Sequence, residues 1–160
     1  MIYQYVSRIR KMALQKDFRP MTEHTLFAYG LSPVATVRIV NRKFEIAVFK
    51  DEVLQLEKCI YAFLVGDEIV RIGSSKGKLG KRFRSWQRDV TNALNGKKSS
   101  TSDSEAKEWE NILDKAGFGT IYARQGTMVT TAVGNFPAYL DEESLLIGKH
   151  LPRLNRSKHR

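Results

Sequence analysis

Four side chains in this 160-residue chain are of types that can act together on a phosphate ester: Tyr61, Arg71, Arg82 and Glu143. Hydrolysing a phosphodiester takes an in-line water, relief of the charge that builds on the phosphate oxygens, and stabilisation of the oxygen that leaves. Glu143 is an oxygen ligand suited to one hard cation such as Mg²⁺, whose other positions would be filled by water and phosphate. Arg82 carries a planar fork of donors able to hold a phosphate bidentately. Tyr61 offers a phenol, and a phenol beside a cation gives up its proton more readily. Taken singly, each has a plainer reading. A strand tyrosine packs in a core, an arginine on a helix face is solvated, and Glu143 beside Asp141 and Glu142 makes a favourable acidic first turn.

The elements that must position these residues are legible from Cys59 onward. Residues 59–65 (CIYAFLV) and 69–73 (IVRIG) are apolar on both faces, as strands covered on two sides should be, and they flank a turn at Gly66-Asp67-Glu68. A polar loop, 74–78, leads into a helix with Leu79, Phe83, Trp86, Val90 and Leu94 at steps of three and four, stopping near Gly96. Residues 97–104 form a loop ending in an N-cap at Asp103 or Ser104, and a second helix runs to Lys115. Residues 120–124 and 127–133 read as strands, and a last helix spans roughly 138–150, ended by Pro152 and followed by a basic tail. The order β-β-α-α-β-β-α predicts an α/β (α+β) domain: a small mixed antiparallel sheet flanked by helices.

Before it, residues 1–57 read as a separate layer. Ile2, Val6 and Ile9 line one side of a helix over 2–16, and residues 34–49, rich in β-branched side chains and broken at Asn41-Arg42-Lys43, form a hairpin. The division expected is therefore a basic helix and hairpin extension, 1–57, packed on a core, 58–160.

Twenty-seven Lys and Arg against seventeen Asp and Glu give a net charge of +10. Such a field attracts nucleic acid or an anionic membrane surface. No stretch approaches the ~20 apolar residues of a membrane span, and Arg8, Arg10 and Lys11 interrupt any apolar leader. The single cysteine, Cys59, excludes an internal disulfide and a cysteine-rich metal site. A soluble, cytoplasmic protein is expected.

Three pieces of the chain resemble the GIY-YIG endonuclease family. Ile60-Tyr61 and, ten residues after Tyr61, Arg71-Ile72-Gly73 resemble its paired motif strands. Lys81-Arg82-Phe83 stands where the family places an arginine, and Glu143 with Ile147, Pro152 and Asn155 resembles its closing pattern. The order and spacing across 58–156 carry the likeness. In the middle, Thr101-Ser102-Asp103-Ser104 and Tyr122-Ala123-Arg124-Gln125 resemble the family's small phage enzymes; its short restriction endonucleases are the other close comparison.

The resemblance implies an endonuclease of double-stranded DNA in a bacterial or phage-infected cell. Tyr61 would be general base, Arg82 (with Arg71) would lie on the scissile phosphate, and Glu143 would hold one divalent ion, Mg²⁺ or alternatively Mn²⁺. Lys76, Lys81, Arg84 and Arg124 are candidate DNA contacts, and Trp86 and Asn155 candidate supports of the site. One site per chain cutting two strands implies a homodimer or larger homo-oligomer.

Two positions depart from the pattern. Arg71 replaces the second motif tyrosine, where a cation can assist Tyr61, grip the phosphate or mark a weakened site; Trp86 stands where relatives carry His or Tyr and can only donate its N–H. Residues 61 and 71 share a face only if the connecting loop has three residues or a bulge intervenes, and the three-residue loop is expected. A DNA-binding relative that does not cut is the second reading. A basic RNA-binding or ribosome-associated domain explains the charge but not the spacing of Tyr61, Arg82 and Glu143.

Overall fold

Strand β3 (Cys59–Val65) is buried at every position, so both its faces must be covered. A computed structural model describing residues 21–155 shows how. The predicted helix over 2–16 and the basic residues 156–160 lie outside the described residues. β3 is flanked by β4 (Glu68–Ser75) and β5 (Gly119–Gln125) in a five-stranded, fully antiparallel sheet, completed by β1 (Ser32–Val40) and β2 (Lys43–Val48) in the order β2-β1-β5-β3-β4. Four helices cover it, so the α+β class read from the sequence is the one observed.

The hairpin β1–β2 is not a layer apart. Its β1 hydrogen-bonds to β5, and its two-residue turn places Asn41 and Arg42 at φ 51° and 59°, the left-handed pair that matches strand twist. Ahead of it stands α1 (Met21–Ala28), which the sequence pattern did not announce.

Helices α2 (Leu79–Leu94) and α3 (Asp103–Ala116) bury Phe83, Trp86, Val90, Trp109 and Leu113 against one face of the sheet, where Tyr61, Phe63 and Phe44 meet them. On the other face, α1 and α4 (Tyr139–His150) enclose Leu26, Ile60, Ile72 and Tyr122. The cap of α3 is Ser102, ahead of the expected Asp103 or Ser104. Its Oγ accepts from Glu105 N at 3.2 Å, which is the N3 position a capping side chain must reach.

The expected strand over 127–133 is shorter and does not enter the sheet. Met128–Thr131 (β6) pairs only with Gly134–Pro137 (β7), a strand the residue pattern does not announce, in a two-stranded ribbon. Gly134, at φ 140°, closes its turn in a conformation that a side chain would oppose.

Candidate active site

The loop between β3 and β4 has two residues, Gly66-Asp67, not three. A two-residue turn alone would point Tyr61 and Arg71 to opposite faces. A bulge repairs this: Leu64 pairs with Ile69 but Phe63 pairs with Arg71, so Val70 is the extra residue. Beyond it Tyr61 lies opposite Gly73, and Tyr61, Phe63, Arg71 and Gly73 share the face under α2. The expected geometry is reached by a different device.

Tyr61 is completely buried, and two donors converge on its hydroxyl oxygen. Arg82 Nε and Trp86 Nε1 each donate to it from 3.0 Å. Residues 82 and 86 are one helical turn apart on α2, which is why both reach one atom. The Tyr61 ring lies so close over β4 that a Cβ at Gly73 would stand 2.4 Å from the phenol oxygen. Only glycine fits there.

Trp86 also stacks beneath both guanidiniums. Arg71 lies 5.3 Å and Arg82 5.9 Å from its ring centre, an arrangement that attracts cations to the ring face. The indole thus does two things at once: it packs with Phe63 and Trp109, and it orients Tyr61 and the two arginines.

Arg71 is 3% exposed. Its Nη1 donates to Leu154 O at 2.7 Å and stands 4.0 Å from Glu105, while its Nε has no hydrogen-bond partner among the described residues. Burial, opposed by the Glu105 carboxylate and the Tyr61 oxygen, holds this guanidinium below its ordinary value. For Arg82, burial also works against the charge, but the Tyr61 oxygen, Glu143 and Asp89 outweigh it and the net shift is upward. A pocket of about 160 Å³ opens beside them, lined by Arg71, Arg82, Trp86, Ser100, Thr101 and Glu105 among others.

Glu143 arrives from the other layer. It projects from the first turns of α4 and accepts a hydrogen bond from Ser74 Oγ, next in sequence to Gly73 on edge strand β4. The carboxylate therefore meets the strand at the residue adjoining the Tyr61 contact. Among the described residues no group of three or more His, Cys, Asp or Glu converges as a metal cage. A lone, half-buried carboxylate nevertheless suits Mg²⁺, which retains water and substrate oxygens and takes few protein ligands.

The other named residues divide by role. Asn155 is buried and completes the open edge of β4: its Oδ1 accepts from Ile72 N at 2.8 Å and its Nδ2 donates to Ile72 O at 2.9 Å. With Leu154 N donating to Val70 O at 3.0 Å, this pins the chain after Pro152 alongside the site strand. Lys76, Lys81 and Arg84 are exposed, and none makes an ion pair with a described residue. Arg124 is not with them. It lies on the opposite sheet face from Tyr61, paired with Glu142, and its Nε donates to Tyr29 O at 2.7 Å.

Sequence reasoning overlooked Gly73 as a clearance, Ser74 as the support of Glu143, and Glu142 as the partner of Arg124. Only Gly73 left a visible signal, as a glycine inside an apolar strand.

No family model matches the chain, and no curated protein matches it. Solved structures do, among them these two. A mutant of bacteriophage T4 EndoII superposes with a TM-score of 0.56 at 21% identity, over 82% of this chain and 96% of that one. The restriction endonuclease HPY188I in complex with product DNA superposes with a TM-score of 0.50 at 18% identity, over 84% and 83% of the two chains. The likeness is one of fold. No described helix is long and apolar enough to cross a membrane.

Proposed function

We propose that this protein is a metal-dependent endonuclease of double-stranded DNA, a GIY-YIG-type enzyme of restriction or phage kind. One observation carries the reading: Arg82 and Trp86 converge on the Tyr61 hydroxyl while Glu143 comes to β4 one residue from Gly73. Phenol, guanidinium and carboxylate are groups that phosphodiester hydrolysis can use, and two solved structures of similar fold are nucleases. The net charge of +10 suits a polyanionic substrate.

In this reading water attacks phosphorus in line with the bond to the 3′ oxygen. The phosphorus–water oxygen bond forms as the phosphorus–O3′ bond breaks, and the 3′ oxygen leaves with the bonding pair and takes a proton from solvent. Tyr61 takes the proton of the attacking water, with Arg82 as the cation beside it. Arg82 turns the free ends of its guanidinium to the scissile phosphate. Glu143 would hold a divalent cation, Mg²⁺ or Mn²⁺, which when bound would supply neutralisation of the charge that builds on the phosphate. Arg71, fixed by Leu154 O and Glu105, acts through Trp86 and Tyr61 rather than by reaching out. Lys76, Lys81 and Arg84 contact flanking phosphates. Two copies of the chain, each with one site, cut the two strands. The stretch ahead of β3, whose hairpin β1–β2 joins the sheet through β5, adds DNA engagement or assembly surface.

A second reading, a DNA-binding protein that does not cut, is favoured by one observation: Tyr61 is fully enclosed, and both its neighbours donate to the atom that must meet water. Plasmid incubated with Mg²⁺ decides between them. Discrete, metal-dependent cleavage absent from a Glu143→Ala control is the expected result; retardation of DNA with no cutting would establish the second reading.

A further inference from the structure

The ribbon β6–β7 stands outside everything the proposed chemistry uses. Its strands pair only with each other, and nearly every residue from Thr127 to Phe136 is exposed. Residues 125–140 contain no Lys, Arg, Asp, Glu or His, in a chain that is 28% charged. At its root the character reverses. Gly126 N donates to Lys58 O at 2.8 Å, and Lys58 N donates to Lys76 O at 3.1 Å, so two exposed lysines flank the point where the ribbon leaves the body. On its other side Thr127 N donates to Glu142 at 2.6 Å, in the residue before Glu143.

We propose that the β6–β7 ribbon enters the major groove of duplex DNA and reads base edges, while Lys58 and Lys76 hold the phosphates at the groove's rim. The proposal rests on the DNA-binding half of the reading above, not on cleavage. Two antiparallel strands fit a groove about 12 Å wide, and four residues per strand at ~3.3 Å each reach a floor about 8.5 Å deep. A neutral ribbon with cations at its base matches a duplex that carries its charge on the rim and its sequence information inside. Thr130 and Asn135 form a cross-strand pair, so they point to one face, and neither side chain hydrogen-bonds to a described residue. An asparagine amide can bond adenine bidentately, and a threonine offers both a hydroxyl and a methyl group to thymine. The neighbouring threonines are already engaged: Thr131 Oγ1 donates to Gly134 O, and Thr127 Oγ1 donates to Glu142. Self-association fits less well. The exposed apolar residues are split, with Met128 on one face, Phe136 on the other and Val133 at the tip, so no single face is apolar.

The test is selection of randomised duplexes by the full chain in EDTA, where no cutting can occur, with wild type beside the Thr130→Ala/Asn135→Ala double variant. Wild type should enrich a consensus. The double variant should lose preference at one or two positions by roughly ten- to hundredfold while affinity for bulk DNA stays within about threefold. Lys58→Ala and Lys76→Ala should weaken all sequences alike, each lowering the salt slope by about one. An identical consensus from the double variant, or no consensus from wild type, overturns the proposal. So does a Val133→Lys variant that changes oligomeric state by sedimentation while leaving the consensus intact, which would give the ribbon to a second copy of the chain. A consensus in EDTA with no cleavage in Mg²⁺ sinks the nuclease reading and leaves the ribbon's role standing.

Discussion

The Tyr61 phenol lies across Gly73 with no room for one further carbon: a Cβ at residue 73 would stand 2.4 Å from the hydroxyl oxygen and 2.5 Å from the ring carbon that bears it. The catalytic geometry proposed here depends on this contact, because it leaves the ring one place to lie.

Gly73→Ala should therefore displace the phenol rather than merely crowd it. A shift of order 1 Å in a reacting group costs about a hundredfold in rate, and overpacking a buried site costs about 1–3 kcal/mol. Plasmid cleavage rates and urea denaturation of the same variant measure the two effects. Full activity would show that Tyr61 need not be held where it is.

Trp86→Phe keeps an aromatic ring between Phe63 and the two arginines but removes the Nε1 donor from Tyr61. The expected loss of stability is about 1 kcal/mol, the net worth of one buried hydrogen bond. Arg82→Lys removes the planar fork instead and should lower kcat by about 10²–10³, as removal of a positioned transition-state donor does. Comparing the two variants separates orientation of the phenol from contact with the phosphate.

Glu142 and Glu143 are neighbours with different partners, Arg124 and Thr127 for the first and Ser74 for the second. Glu143→Gln should abolish metal-dependent cutting with little change in stability. Glu142→Gln should do the reverse, because Glu142 is bound by Arg124 and by Thr127. Burial works against the Glu142 carboxylate, but hydrogen bonds from Arg124 and Thr127 outweigh it and hold it below the ordinary range. A depressed carboxylate contributes stability that is present above its unfolded value, about pH 4, and lost as pH falls through the lower folded value. Thermal unfolding followed downward from pH 6 should show wild type losing this contribution in acid. The Glu142→Gln protein, which lacks it throughout, should fall less steeply.

Asn155→Ala would strip the partners from both the N–H and the C=O of Ile72, a residue 1% exposed. Each buried group left unpaired costs about 1–3 kcal/mol, so a loss of roughly 2–6 kcal/mol in denaturant titration is expected. Asn155→Asp can still accept from the N–H and should fall between. Equal stability of all three proteins would mean that water replaces the side chain.

The sequence by itself determined most of the elements from β3 onward and the residue types they carry, but neither α1 nor the β6–β7 ribbon. Strand β3 was readable because a fully buried strand must be apolar at every position, and α2 because its apolar residues recur at three and four. The candidates Tyr61, Arg82 and Glu143 were readable by type and order. Three things were decided only in the fold. The sharing of a face by Tyr61 and Arg71 turns on a bulge at Val70, which leaves no mark in the residue types around it. The fate of Arg124 turns on Glu142, eighteen residues away, which takes its charge out of play as a free phosphate contact. The role of Asn155 depends on an exposed strand edge that exists only once β4 is placed last in the sheet. Local propensity and spacing act within a few residues, whereas register, ion pairing and edge completion are settled between segments that meet only when the chain is folded.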